Sequence, residues 1–215
     1  MTSTKLELSR TYSLTLKKRA REQVTVRQFK PTDEDVASIL DSISEAFKYE
    51  TLAMYFSHDA NDAAACKALA LEQFWIYMRC MSEAGCYFTL SNLKGGMLAF
   101  DLPKEKISIF NQLIHGLPKM LWQMIPWHKW LALAQGEDYL EASRYQYIKE
   151  NGLDSLLHLF AIGIHPELQG QGMGGLLLQE LTSHADKSNQ HCYLEASTES
   201  SKRFYERHGF ILFKE

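Results

Sequence analysis

The segment Ile162-Gly163-Ile164-His165-Pro166-Glu167-Leu168-Gln169-Gly170-Gln171-Gly172-Met173-Gly174-Gly175 constrains this chain more than any other. An apolar run comes first and reads as a buried strand. A Pro-marked loop follows, then clustered glycines, then Leu176-Leu177-Leu178 opening a helix. Glycines at a strand-to-helix junction leave backbone N–H groups uncovered. With the positive end of the helix, those groups make an anion site suited to phosphate. The expected ligand therefore carries phosphate.

Two ligand classes compete for that loop. Gly170, Gly172 and Gly175 match the dinucleotide pattern G-x-G-x-x-G, and Glu195 lies where that fingerprint places an acid for the ribose. The context argues against it. Pro166 to Gln169 separate the glycines from the strand, and Gly175 to Glu215 leaves too little chain to complete a doubly wound sheet. The alternative pattern is Q/R-x-x-G-x-G/A, met by Gln169, Gly172 and Gly174. It is flanked upstream by Leu159-Phe160-Ala161-Ile162-Gly163-Ile164-His165-Pro166. Downstream come Tyr193-Leu194-Glu195-Ala196-Ser197 and Phe204-Tyr205-Glu206-Arg207-His208-Gly209-Phe210. In this order the three motifs resemble the pyrophosphate loop, the fourth and fifth strands, and the closing Y-x-x-x-G-F segment of the GNAT superfamily of acyl-CoA N-acyltransferases. The likeness spans residues 154–214 and is fainter over Val24 to Lys48. The wording Leu-Glu-Ala-Ser and Phe-Tyr-Glu-Arg is similar to the puromycin N-acetyltransferase branch, which says nothing of the substrate.

The resemblance implies a single α/β domain over residues 23–215. It has a mixed, twisted central sheet with helices on both faces, preceded by an N-terminal extension over residues 1–22. It also implies acetyl-CoA as co-substrate and a small-molecule amine as acceptor. In the family, the strand-four backbone grips the thioester and pantetheine arm. Carried over, the positions are Ile162, Gly163 and Ile164. The pyrophosphate would rest on the amides of Gln169, Gly170, Gln171, Gly172, Met173 and Gly174.

Composition sets the outer limits. A chain of 215 residues with 46% hydrophobic and 23% charged content suits one soluble domain. A net charge of −3 exerts no general pull toward nucleic acid. No signal peptide and no uninterrupted apolar span of about 18 residues is read, so the default compartment is the cytoplasm, without stable membrane insertion. The four cysteines lack C-x-x-C spacing, and the eight histidines lack ligand spacing. No disulfide and no metal are expected.

Along the chain, residues 5–16 alternate as a half-buried strand would, with Leu6, Leu8, Tyr12, Leu14 and Leu16 on one side. Gln23 to Phe29 reads as a strand. Pro31 to Asp35 opens a helix with Val36, Ile39, Leu40 and Ile43 on one face, and a longer helix is predicted from Asp62 to about Glu83. Cys86 to Leu93 and Met97 to Phe100 flank Lys94-Gly95-Gly96 as a hairpin. Residues 104–150 are too long for a plain loop and hold Trp122, Trp127 and Trp130. They read as a helical insertion between strands three and four. Three uses stay open: a lid or acceptor wall, core packing, or a partner or membrane-surface face.

Amide formation from a thioester needs a neutral amine. At a pKa near 10.4, only about one lysine-like amine in 10³ is neutral at pH 7, a handicap of roughly 4–5 kcal/mol. Tyr205, at the tyrosine of Y-x-x-x-G-F, is the expected general acid. His158 interrupts the apolar strand where histone acetyltransferases of the superfamily place a glutamate base, so it is a candidate base. A hydrogen-bonded core histidine is the other reading. Glu195 is the second candidate base or an anchor for the acceptor.

Two features depart from the family. Thr198 stands where an asparagine usually contacts the cofactor, and Ser201 or Thr198 is the expected substitute. The chain also stops at Glu215, without the usual seventh strand. The surplus segment Leu6 to Leu16 is the candidate to fill that gap, in cis or across a homodimer. If it does, deleting residues 1–20 lowers the melting temperature by several degrees. An unchanged melting temperature removes the idea.

Overall fold

The structure, a computed structural model, describes residues 24–81, 83–102 and 109–214. The alternating segment 5–16 therefore lies outside the described residues. Five strands form one sheet in sequential order: β1 (Val26–Phe29), β2 (Gly85–Leu90), β3 (Gly95–Leu102), β4 (Leu156–Ile164) and β5 (His191–Leu194). The pairings β1–β2, β2–β3 and β3–β4 are antiparallel, and β4–β5 is parallel. One parallel pair does not make a doubly wound sheet, so the dinucleotide fold is absent here.

The central strands are covered on both faces and split their side chains accordingly. Tyr87, Leu98 and Phe100 enter one core with Val36, Ile39, Leu40 and Ile43 of α1 (Val36–Glu45). Leu69, Phe74 and Met78 of α3 (Ala63–Cys80) complete that layer. Phe88, Met97 and Ala99 enter the second core with Met173, Leu177, Leu178 and Leu181 of α7 (Met173–Ser188). The helix expected after Asp62 is α3, with the Asp62 carboxylate accepting from Ala64 and Ala65 N–H. The short α2 (Thr51–Phe56) went unread in the sequence; Glu50 caps it.

The hairpin forms one turn earlier than its glycines suggested. Ser91 to Lys94 make the turn, Leu93 takes the left-handed position at φ 59, and Gly95 and Gly96 lie within β3. These glycines are needed for packing. Gly96 pairs with Gly163 across β3–β4, making a floor without side chains on which Ile39 and Ile43 rest. A Cβ on Gly163 would lie 2.6 Å from the Ile43 carbonyl oxygen.

The insertion is helical as the sequence implied: α4 (Ile109–His115), α5 (Leu117–Met124), a 3-10 turn at Trp127–Lys129, and α6 (Trp130–Glu150). Leu117, Met120 and Ile125 are buried, but Trp122 and Trp127 are each 80% exposed. Core packing alone thus does not account for the tryptophans. Lys119 pairs with Glu72, and Lys129 donates to the Tyr55 carbonyl, so these cations tie the insertion to the body. Ile211 to Lys214 form no strand, and the Phe213 ring meets Tyr147 of α6 instead.

Replacing Gly163 by alanine forces α1 off the sheet and is expected to cost about 1–3 kcal/mol. Gly136 sits exposed in α6 with nothing within 4 Å of its would-be Cβ. Gly136→Ala should therefore stabilise by about 0.5–1 kcal/mol. Denaturant unfolding of the two variants checks both signs.

Candidate active site

Strand β4 builds the site through a bulge. Leu98 pairs with Ala161 and Ala99 with Leu159, which leaves Phe160 as the extra residue. Phe160 and Ala161 consequently both turn toward α1 and α3, whereas Leu157 and Leu159 face α7. Beyond the bulge β4 has lost its other neighbour, because β5 pairs only as far as Leu159 with Leu194.

The bared edge has a definite polarity. The His165 N–H donates to the Lys94 carbonyl at 3.0 Å. In an antiparallel ladder alternate residues bond to the partner strand, so Ala161, Gly163 and His165 face β3. The N–H groups of Ile162 and Ile164 then point to the open side. The Ile164 carbonyl on that side accepts from Gln169 Nε2 at 2.9 Å.

The glycine loop follows directly. Gly170 and Gly172 adopt φ of 69° and 83°. Gln171 Nε2 donates to the Glu167 carbonyl at 2.7 Å and fixes the turn. Among the described residues, no N–H from Gly170 to Gly175 takes a backbone carbonyl, and α7 has no side-chain cap. A run of free amides at a helix start, with open space before Gly170, fits a pyrophosphate. The chemistry of the loop and of the bared β4 edge thus fits acetyl-CoA. A cavity of about 800 Å³ opens at the opposite end of the sheet, beside Asp101, Asp154 and Gln190, away from this loop.

On the α3 side of β4, His158 Nε2 lies 2.6 Å from Glu195 Oε2, at the residue just after β5. Arg144 Nη1 of α6 donates to Glu195 Oε1 at 2.9 Å. The side chains of His158, Arg144 and Glu195 are 5%, 15% and 27% exposed, so Glu195 is the most open of the three. Burial raises the Glu195 pKa, but His158 and Arg144 outweigh it and hold the carboxyl below its ordinary value. Glu137, also on α6, interacts with the Tyr77 hydroxyl, and burial pushes its carboxyl up. The Tyr77 ring stacks on Phe160 with centroids 4.0 Å apart.

The sequence singled out His158 and Glu195 separately, and the fold joins them. Tyr205 lies elsewhere, in α8 (Glu199–Glu206), packed with Phe210 against the second core. Among the described residues no hydrogen bond links it to the pair. Burial pushes its phenol up to about 12. Thr198 and Ser201 form a reciprocal capping box at the start of α8, which already engages both hydroxyls. Arg144, Glu137 and Tyr77 were missed. Their signal was the stripe Leu133, Glu137, Leu140, Arg144, Tyr147, a helical spacing with two charges on its inner face.

Comparison with known proteins agrees with this architecture. The chain has the fold of an agmatine N-acetyltransferase mutant, with a TM-score of 0.56 and 16% identity over 89% of this chain and 84% of that one. A Drosophila melanogaster polyamine N-acetyltransferase gives 0.54 and 15% over 89% and 85%. A Corynebacterium glutamicum protein described as a histone acetyltransferase and related acetyltransferase gives 0.53 and 17% over 87% and 84%. No curated protein matches the sequence. Residues 128–212 match the family described as acetyltransferase (GNAT) domain.

Glu195 links this site to stability. Its folded pKa lies below the ordinary 4.5, so the stability it adds is present above that value and lost as pH falls through the lowered one. The melting-temperature gap between wild type and Glu195→Gln should therefore be widest near neutrality and close below pH 4.5. Melts across that range check it.

Proposed function

We propose that the chain transfers the acetyl group of acetyl-CoA directly to a primary amine of a small, partly apolar acceptor. The observation that carries this reading is one strand presenting two things. The bared amides of Ile162 and Ile164 lie just beyond its bulge, and the His158–Glu195 pair lies just before it. Two neighbours of the same fold are described as amine acetyltransferases, which supports an amine as acceptor.

Bound acetyl-CoA would supply the activated acetyl group. Ile162 and Ile164 N–H would hold the pantetheine arm and polarise the thioester carbonyl. The amides of Gly170 to Gly174 would hold the pyrophosphate, with Gln169 and Gln171 fixing the loop and Thr198 and Ser201 at its rim. Glu195, the most open member of its cluster, meets the acceptor ammonium. Its lowered pKa makes it an anchor rather than the final proton acceptor. His158, behind it, donates from Nε2 to this ionised carboxylate and holds it in place, and the proton leaving the amine goes to solvent water. Arg144 keeps the carboxylate aimed.

Tyr205 serves the leaving group. A phenol near 12 keeps its proton throughout the working range. Full transfer to a thiolate of pKa near 8.5 is uphill, so the hydroxyl stabilises the thiolate mainly as a hydrogen-bond donor. A cysteine relay has little support. Burial pushes the Cys86 thiol up to about 12 and Cys192 up to about 11, which disfavours thiolate.

The second reading is a CoA-responsive module without turnover, favoured by the occupied Thr198 and Ser201 hydroxyls. Acetyl-CoA at about 100 times its Kd should stabilise the fold by roughly 2.7 kcal/mol under either reading. Tyr205→Phe separates them. An acetyltransferase keeps that thermal shift and loses about 10²-fold in kcat. A binding module keeps the shift and turns over no amine in either form.

A further inference from the structure

The insertion carries apolar side chains outward. In α4, Gln112 and His115 turn toward the body and are half-buried, whereas Leu113 and Ile114 are 46% and 62% exposed. That reverses the usual order, in which the apolar stripe of a surface helix faces the core. In α5, Leu117 and Met120 are buried against the α3 layer, and Trp122 stands on the opposite side of the helix. Trp130 Nε1 donates to the Ile125 carbonyl at 3.0 Å, which joins the start of α6 to the end of α5. Trp127 and Leu131 lie bare beside that junction. Trp122 and Trp127, each 80% exposed, alone bare roughly 400 Å². That matches the largest apolar patch of an ordinary monomer.

The charges around this face indicate what covers it. From Ile109 to Gly136 there is no Asp or Glu, although the chain holds 26. The same stretch carries His115, Lys119, His128 and Lys129. Lys119 pairs with Glu72 of α3, yet 56% of its side chain stays exposed. Among the described residues Lys129 meets Tyr55 alone, at its carbonyl and its ring, so its charge has no carboxylate opposite. A second copy is a poor occupant. A two-fold interface sets a patch against itself, which brings these cations together with no acid of the insertion between them. An anionic lipid surface matches both properties: tryptophans settle at headgroup level and lysines meet the phosphates. Among the described residues no helix is long and apolar enough to cross a membrane, and these short helices suit a position flat in the interface.

We infer that the outward face of α4, α5 and the first turn of α6 docks on an anionic lipid surface, with Trp122 and Trp127 entering the headgroup layer. The inference is independent of the acetyl-transfer reading, because none of these side chains belongs to the glycine loop or the Glu195 cluster.

The test is sedimentation of the full chain with vesicles of phosphatidylcholine alone and of an equimolar phosphatidylcholine–phosphatidylglycerol mixture. Wild type should bind the mixed vesicles at least about fivefold more tightly. Added salt should weaken that binding, and tryptophan emission should move to shorter wavelength on it. Replacing both rings, Trp122→Ala with Trp127→Ala, should lower vesicle affinity at least about tenfold. The melting temperature should hold, because both rings are exposed. Ile114→Asp, which puts an acid on this face, should lose binding likewise. No binding by wild type, or equal binding to the two vesicles, overturns the inference. Binding that survives both variants also overturns it, by placing the contact elsewhere, such as the basic run Lys17 to Arg21. A dimer seen by ultracentrifugation without vesicles, and dissociated by both variants, gives the face to a second copy instead. Loss of binding with a lowered melting temperature in both variants assigns these side chains to the fold and equally overturns it.

Discussion

One extra residue in β4 underlies the whole arrangement. The bulge at Phe160 turns two successive side chains to the α3 face and reverses the alternation beyond it. It also coincides with the point where β5 leaves the sheet. Without it, the strand would run on as an ordinary paired ladder, its amides spent on a neighbour. With it, the first half of β4 is core and carries His158, and the second half offers N–H groups to an extended ligand. The same strand ends in the loop whose amides open α7. The proposed thioester grip and phosphate cradle, with His158, thus lie along one continuous stretch of chain.

That segment depends on close packing behind it. The paired glycines Gly96 and Gly163 let Ile39 and Ile43 press on the sheet backbone itself, where any side chain would hold α1 away. The bared edge therefore belongs to a strand supported from both faces, by α1 on one side and by Leu177, Leu178 and Leu181 of α7 on the other.

The local signals were legible wherever they were short in range. The strand, turn and glycine run from Leu156 to Gly175, the capped helix after Asp62, and the α1 face Val36-Ile39-Leu40-Ile43 all followed from spacing and caps. The bulge was not legible, because a run of apolar residues hides which one is extra. The hairpin was misplaced because its glycines serve the β3–β4 contact, a tertiary demand that local turn chemistry does not reveal. His158 and Glu195 were each visible as polar breaks near strands, but their 2.6 Å contact joins positions 37 residues apart. Arg144 and Glu137 stayed hidden inside an insertion read for its tryptophans.

Helix α6 also divides the labour of recognition. The backbone amides proposed to grip the acetyl donor lie between Ile162 and Gly174, whereas Arg144, Glu137 and the exposed tryptophans belong to the insertion. Arg144 reaches β4 through Glu195, which also contacts His158. A change on the inner face of α6 alters the charge pattern offered to an acceptor without disturbing the strand that carries the donor amides. Under the proposed function the insertion would be the exchangeable half of the site, on which new acceptors could be sampled while the donor grip stays fixed.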